Sequence, residues 1–564
     1  MARLAPTALP ADADQALSPS GPHRALKQFG LVMLCAMWVV LGLVGHDPWK
    51  TEDATAFGIV HEMMLGSDYL TPNLAGEPFV DRPPLVYALA AATGKLAAGV
   101  LPAHDAARLA AGLLLGTTLL LLALAGIELF GRNFRWMPVL LFVGCVGLWD
   151  RAHQLSPELG LLAGIAGAQY GFALALRRPA AGGIVLGLGT TVAFLSRGFL
   201  GPVWIVLTAV ALPLAFRAWR TRGHATTAIA ALAIAVPLCA VFPVALALTA
   251  PADLAAWWNA QSWTDYFGPL SAKAPADPVV VVKNLLWFAW PALPLAAWTL
   301  WTRGRGFNGG LAVPAVLLPG TLALAMLASI AVMADPKVIY LMPILLPLAL
   351  LGALEIDTLK RGFSGALDWF GILTFGLASA IAWWLWFDAI AGGMSAPVAR
   401  VLRDTEAGYR PTWHWLAIGV SVLLTLLWLA LVRPARRSNR RAVLNWAAGM
   451  TLLWALYSTI WLPYLDSRRS YRTVAQAMTP HLPAQGCVAS RNLGEPQRAL
   501  FRYFAGLVTV REETKPKHDC ATVLVQYGRV DVAPAAPEGW RIAWEGRRRG
   551  DDTERFVLYT RIAP

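Results

Sequence analysis

The sequence predicts a polytopic α-helical membrane protein of about 13 transmembrane helices, carrying a small C-terminal α/β domain outside the membrane. Three observations predict it. Of 564 residues, 57% are hydrophobic and only 14% charged, against roughly 45–50% and about 25% in soluble domains. The apolar residues fall into runs close to the ~20 residues that cross a bilayer as a helix. Arginine and lysine gather in alternate loops between those runs, the pattern of cytoplasm-facing loops. That pattern accounts for the net charge of +13, so the basic balance does not imply nucleic-acid binding.

The first 27 residues are rich in Ala and Pro and carry Arg24 and Lys27 ahead of the first apolar run, which reads as a cytoplasmic tail on an uncleaved first helix. The runs are Phe29–Val44, Ala107–Phe130, Pro138–Ala152, Leu159–Leu176, Ala180–Leu195, Leu200–Phe216 and Thr226–Ala250. Val282–Trp301, Leu311–Ala334, Val338–Leu354, Ala366–Ile390, Trp415–Val432 and Val443–Leu462 complete them. A further run, Pro83–Val100, is interrupted by Thr93, Gly94 and Lys95 and is too polar to span. Charge parity agrees. If it does not cross, Arg132, Arg135, Arg177, Arg178, Arg217, Arg220, Arg222, Arg303, Arg305 and the basic residues of 360–361 and 433–441 share one side, with Asp357 the only acidic residue among them.

Two consequences follow. Residues 45–106 form a large external loop, with Pro83–Val100 lying along the membrane surface as an interfacial helix. Residues 465–564 are external too, with a helical pattern around Tyr471–Met478 and strand-like runs at Thr522–Tyr527, Trp540–Trp544 and Arg555–Arg561. Cys35, Cys145 and Cys239 sit in apolar runs as small buried hydrophobes. Cys487 and Cys520 are able to pair if their region lies outside the cytoplasm.

Charges are scarce in this chain, so acidic residues crowded at one water boundary need a reason. Glu52 and Asp53 precede a helical segment, Ala54–Leu65, beside the first span, and Asp81 and Arg82 precede Pro83 and Pro84, which stiffen the backbone. The order of residues is specific: Glu52-Asp53, Phe57, Glu62-Met63, Gly66-Ser67-Asp68-Tyr69, Pro72, Leu74-Ala75-Gly76-Glu77-Pro78-Phe79 and Asp81-Arg82-Pro83-Pro84. Ala107-Arg108-Leu109, Ser156-Pro157-Glu158, Ser196-Arg197-Gly198 and Lys337 to Tyr340 with Pro343 continue it. The string resembles the aminoarabinose transferase and protein O-mannosyltransferase group of polyprenyl-phosphate-sugar glycosyltransferases. Glu52, Asp53, Arg82, Glu158 and Arg197 depart from that group's usual Asp, Glu, Lys, Asp and Lys, each keeping the charge and changing the reach.

The resemblance implies a GT-C type membrane domain over 28–464, in a bacterial inner membrane, with the site and the domain 465–564 in the periplasm. It implies an inverting glycosyltransferase that moves a sugar from undecaprenyl phosphate to lipid A, with 4-amino-4-deoxy-L-arabinose or another amino sugar as the donor group. A protein or another glycan as acceptor is the near alternative, and a lipid-linked sugar transporter or flippase the distant one, disfavoured by the absence of an internal repeat. Within this reading Glu52 is the acceptor-side carboxylate, Glu158 its partner, and Asp53 or Asp81 completes the acidic cluster. Arg82, Arg197 and Lys337 hold the donor phosphate, and Tyr340, one helical turn from Lys337, hydrogen-bonds it.

Bland readings stand beside these. Asp81 and Arg82 could cap an interfacial helix, and Lys337 could be a snorkelling lysine at a span end. Trp257, Trp258, Trp263, Tyr266 and Tyr340 could be belt aromatics, or the 258–267 stretch could shape an acceptor site. His61 and His153 could join carboxylates around a divalent cation, which spacing alone leaves open.

Overall fold

The computed structural model describes residues 22–260, 278–333, 337–393, 395–403, 412–433, 438–529, 535–548, 551 and 553–562. In chain order the first nine helices are α1 (Pro22–Val40), α2 (Glu52–Met64), α3 (Leu85–Leu96), α4 (Ala103–Phe130), α5 (Trp136–Val143), α6 (Pro157–Ala175), α7 (Pro179–Arg197), α8 (Leu200–Ala215) and α9 (Arg222–Thr249). Helix α1 begins inside the segment expected to be a cytoplasmic tail.

Six helices among the described residues are long and apolar enough to cross a membrane: α4, α6, α7, α9, Pro314–Ala331 and Arg361–Ile390. A seventh span is possible if Asn439–Ser458 and Leu462–His481, bent by 61°, count as one. Several of the other apolar runs form shorter or interrupted helices, among them Leu200–Ala215 and Trp415–Leu431. Pro138–Ala152 breaks after α5 into 3₁₀ turns at Val146–Leu148 and Arg151–His153. Val282–Trp301 is split at Pro291 into Pro278–Phe288 and Ala292–Gly304, and Val338–Leu354 starts as a 3₁₀ turn before Pro343, because proline has no N–H for the helical ladder. Much of this broken backbone, including Met137–Val143 of α5, is buried inside the bundle, where neighbouring protein satisfies polar groups that lipid would leave orphaned.

Helices α6 and α7 make the closest pair, and glycine is the reason. A Cβ on Gly164 would sit 2.5 Å from the Ala193 backbone nitrogen, and one on Gly189 would sit 2.7 Å from the Gly164 carbonyl oxygen. Small residues let membrane helices approach backbone to backbone. Because the two run antiparallel through the short Arg177–Arg178 turn, the first turn of α6 meets the last turn of α7. Leucine, isoleucine and valine side chains at Leu113, Leu120, Ile184, Leu188, Leu232 and Val236 remain exposed, as lipid-facing positions should.

At one end of the bundle the arginine-rich loops converge. Arg440 Nε donates to Asp357 Oδ1 at 3.0 Å while its guanidinium lies 4.4 Å from the Phe134 ring centroid, and Arg303 Nε donates to Glu355 Oε1 at 2.6 Å.

The opposite end carries the 45–106 loop and the C-terminal domain. Helix α3 has 12 residues, about 18 Å at 1.5 Å per residue, which is too short to span. It packs on α4, with Thr93 Oγ1 donating to the Ala107 carbonyl at 3.3 Å. A two-stranded ribbon, β1 (Asn73–Leu74) and β2 (Glu77–Pro78), precedes it. Five further strands are β3 (Val488–Arg491), β4 (Thr509–Arg511), β5 (Thr522–Tyr527), β6 (Trp540–Gly546) and β7 (Arg555–Arg561), in the order β4-β3-β5-β7-β6. β3 is parallel to β4 and β5, while β7 is antiparallel to β5 and β6. Cys487 and Cys520, just before β3 and β5, are joined as a disulfide.

This domain is docked through helix Glu495–Ala505, which lies along α2 so closely that a Cβ on Gly58 would meet the Ala499 Cβ at 2.4 Å. Ion pairs flank the contact: Arg502 Nε to Glu62 Oε1 at 2.7 Å, Arg498 Nη2 to Glu77 Oε2 at 2.9 Å, and Lys50 Nζ to Glu554 Oε2 at 3.0 Å. Arg472 Nε also donates to Asp47 Oδ2 at 2.9 Å.

Burial works against ionisation of Glu554 and Asp47. It is outweighed at Glu554 by hydrogen bonds from Tyr471, Gln497 and Lys50, and at Asp47 by Arg472 and Ser470, so both carboxyls sit below their ordinary values. A carboxylate with a depressed folded pKa contributes stability above its unfolded value of about 4 and loses it as pH falls through the folded value. Acidification below about pH 4 should therefore loosen the docked domain, with little change from these groups between pH 5 and 8. Hydrogen exchange of residues 471–478 against pH checks this.

Candidate active site

The α6–α7 hairpin and the 45–106 loop assemble one cluster of charges. Glu158 lies in the first turn of α6 behind Pro157, and Arg197 ends α7, positions in which the helix dipoles favour the respective charges. Arg197 Nε donates to Glu158 Oε1 at 3.1 Å, and Arg197 Nη2 donates to the Tyr340 hydroxyl oxygen at 2.5 Å. The same guanidinium lies 5.3 Å from the Tyr340 ring centroid. Arg82 Nη1 donates to Glu52 Oε2 at 3.0 Å and stands 4.0 Å from Glu158 Oε1. Residues separated by up to 288 positions thus form a continuous chain, Glu52–Arg82–Glu158–Arg197–Tyr340. Lys337, at the start of the 3₁₀ turn that carries Tyr340, is within electrostatic reach of Glu52.

Glu52 opens α2. Partial burial raises its carboxyl, but Arg82, Lys337 and Arg197 outweigh this and hold it below the usual carboxylate range. It is therefore ionised at neutral pH. Glu158 is only 1% exposed, and its Oε2 has no hydrogen-bond partner among the described residues.

Asp53 does not join this cluster, which corrects the expectation that it might complete the acidic set. A helix places successive residues about 100° apart, so Asp53 leaves α2 on another face. There it is fully buried and its oxygens accept from Arg108 Nη2 at 2.8 Å, Arg108 Nε at 3.2 Å, Trp49 N at 3.1 Å and Leu155 N at 3.0 Å. Burial raises the Asp53 carboxyl and Arg108 more than reverses this. Arg108 also donates to Asp105 and to the His46 and Asp47 carbonyls. The pair staples α2 and α4 to the loop between α1 and α2.

Asp81 is exposed beside Arg82 and lies within electrostatic reach of Glu495, at the start of the docked helix. The structure thus places Asp81 at the rim of the cluster. Neither histidine considered for a metal reaches these carboxylates. His153 is buried, with Nε2 2.6 Å from the Trp38 carbonyl and its ring stacked 4.0 Å from Trp454, and His61 packs against Tyr503 and Phe57. Among the described residues no group of three or more His, Cys, Asp or Glu side chains is placed to hold a metal ion. Arg82 occupies the place between Glu52 and Glu158 that a cation bridging those carboxylates would need.

Trp257 is not a belt residue: it is fully buried against Phe194, Phe199 and Phe242, whereas Trp258 is exposed. Trp263 and Tyr266 lie outside the described residues. Sequence reasoning missed Tyr87, which is buried with its hydroxyl unpartnered among the described residues. It also missed Glu495. Tyr87 sits in an apolar run with no polar pattern to single it out, and Glu495 is brought in only by docking of the distant domain.

No family model matches the chain. Among curated proteins it is 27% identical over 368 residues to the undecaprenyl phosphate-alpha-4-amino-4-deoxy-L-arabinose arabinosyl transferase of Pseudomonas aeruginosa (strain UCBPP-PA14), covering 62% of this chain and 63% of that relative. With transferase 2 of Pseudomonas fluorescens (strain Pf0-1) it shares 25% identity over 448 residues, 72% of this chain and 77% of the relative. Among solved structures, ArnT from Cupriavidus metallidurans bound to undecaprenyl phosphate matches with a TM-score of 0.68 at 16% identity, over 95% of this chain and 98% of that one. The resemblance read from the ordered motifs is thus found again by sequence in the curated aminoarabinose transferases and by fold in a solved one, a GT-C membrane protein.

Proposed function

We propose that the protein is an inverting glycosyltransferase of the inner membrane, moving 4-amino-4-deoxy-L-arabinose or another amino sugar from undecaprenyl phosphate to lipid A at the periplasmic face. The observation that carries this reading is the Glu52–Arg82–Glu158–Arg197–Tyr340 chain, set at the end of the bundle away from the arginine-rich loops. The Cys487–Cys520 disulfide supports an oxidising, external compartment for that end.

In the reaction an acceptor oxygen forms a bond to the anomeric carbon as the bond from that carbon to the lipid phosphate breaks. The phosphate leaves with the electron pair and gains negative charge, which Arg82, Arg197 and Lys337 are suited to neutralise. Glu52 and Glu158 stabilise positive charge developing on the sugar ring, and either carboxylate takes the proton when the acceptor is a hydroxyl. An ionised phosphate acceptor needs no such base. The salt bridges hold these groups in place before substrate arrives, so little reorganisation is required during transfer. Asp53 serves as a positioning residue through Arg108, and Asp81 shapes the rim.

The test uses purified protein in detergent with undecaprenyl phosphate-linked aminoarabinose and lipid A, read by mass spectrometry of the lipid. One added aminopentosyl unit, dependent on donor and protein, is the expected result. Absence of any gain with several amino-sugar donors would overturn the lipid A assignment.

A further inference from the structure

Two buried polar atoms in the cluster lack partners among the described residues: the Tyr87 hydroxyl and Glu158 Oε2, each on a side chain only 1% exposed. They belong to one neighbourhood. Val86 and Ser196 both close on Gly160, where an added Cβ would lie 2.5 Å from Val86 Cγ2 and 2.2 Å from Ser196 Oγ, so α3 is pressed against the first turn of α6 and the last turn of α7. Tyr87 interacts electrostatically with Arg82, Glu158, Glu52 and Arg197. Leaving a buried donor and a buried carboxylate oxygen unpaired is destabilising, and these two do not pair with each other.

We propose that Tyr87 Oη and Glu158 Oε2 form a subsite for a ring hydroxyl of the donor sugar, deepening the glycosyltransferase reading on which it rests. Charge selects the group. A phosphate oxygen would accept from Tyr87 but be repelled by Glu158, and an ammonium would suit Glu158 but stand beside the Arg82 and Arg197 guanidinium groups. A neutral hydroxyl donates to the carboxylate and accepts from the phenol without conflict. The subsite orients the sugar ring while the arginines hold the phosphate.

The experiment compares binding of undecaprenyl phosphate and of undecaprenyl phosphate-linked aminoarabinose to the full-length protein in detergent, for the wild type and Tyr87→Phe. Phenylalanine keeps the buried ring and removes only the hydroxyl. The wild type should bind the glycosylated lipid at least about fivefold more tightly than the bare lipid, the size of one hydrogen bond of about 1 kcal/mol, and Tyr87→Phe should erase that preference while leaving bare-lipid affinity within about twofold. Equal affinities in the wild type, an unchanged preference in Tyr87→Phe, or equal losses for both lipids would each overturn the subsite. Binding is read without turnover, so failure of lipid A modification would count against the proposed reaction and not against this subsite.

Discussion

Glutamine in place of Glu158 or Glu52 is expected to lower transfer by about a thousandfold, the scale set by losing a general base or an electrostatic group aimed at developing charge. Neither change alters side-chain volume much, so the folded state should survive. In Glu158→Gln the amide oxygen can still accept from Arg197 Nε, but the carboxylate charge shared between Arg197 and Arg82 is gone. Glu52→Gln removes the charge that anchors Arg82 Nη1. Initial rates of lipid A modification, measured with the melting temperature of each variant, check the prediction. More than a tenth of wild-type activity in both variants would refute the assigned roles.

The second large effect is on stability. Arg108 is 1% exposed and serves two carboxylates and two carbonyls. Its replacement by alanine would leave Asp53 charged and buried without a cation, which costs about 3–5 kcal/mol. Folded, monodisperse protein should be lost or its melting temperature sharply lowered. Lysine should rescue little, because a single ammonium cannot fork onto both Asp53 oxygens and reach the His46 and Asp47 carbonyls. Asp53→Asn should fail in the same way, through folding, whereas Glu52→Gln fails through rate. Fluorescence-detected size-exclusion chromatography separates the two. Stable, folded Arg108→Ala would show that the Asp53–Arg108 pair is not a staple.

The neighbours Glu52 and Asp53 show where sequence reading stops. As a motif they are one acidic pair, and both invite a catalytic role. On α2 they diverge by about 100°, one toward Arg82 and the other toward Arg108. Helix continuity is hidden for a related reason: hydropathy registers that a run is apolar, not whether it forms one continuous helix or is interrupted, as 138–152 and 282–301 are. The strands at 522–527 and 555–561 were legible because, apart from Leu524 and Leu558, their apolar residues are β-branched or aromatic. The short strands β3 and β4 were not, since three or four residues carry too little pattern.

Composition and run length determined by themselves that the chain is a helical membrane protein, and the one-sided arginines carried the expectation that its acidic loop and C-terminal domain lie on the other side, because burial and charge placement are written in residue type. The ordered motif determined which side chains to watch. Only the tertiary structure decided which of them meet. Convergence of Glu52, Arg82, Glu158, Arg197 and Tyr340 depends on how closely α6 and α7 pack through glycine and how the 45–106 loop folds over them, and those are properties of contacts between distant segments.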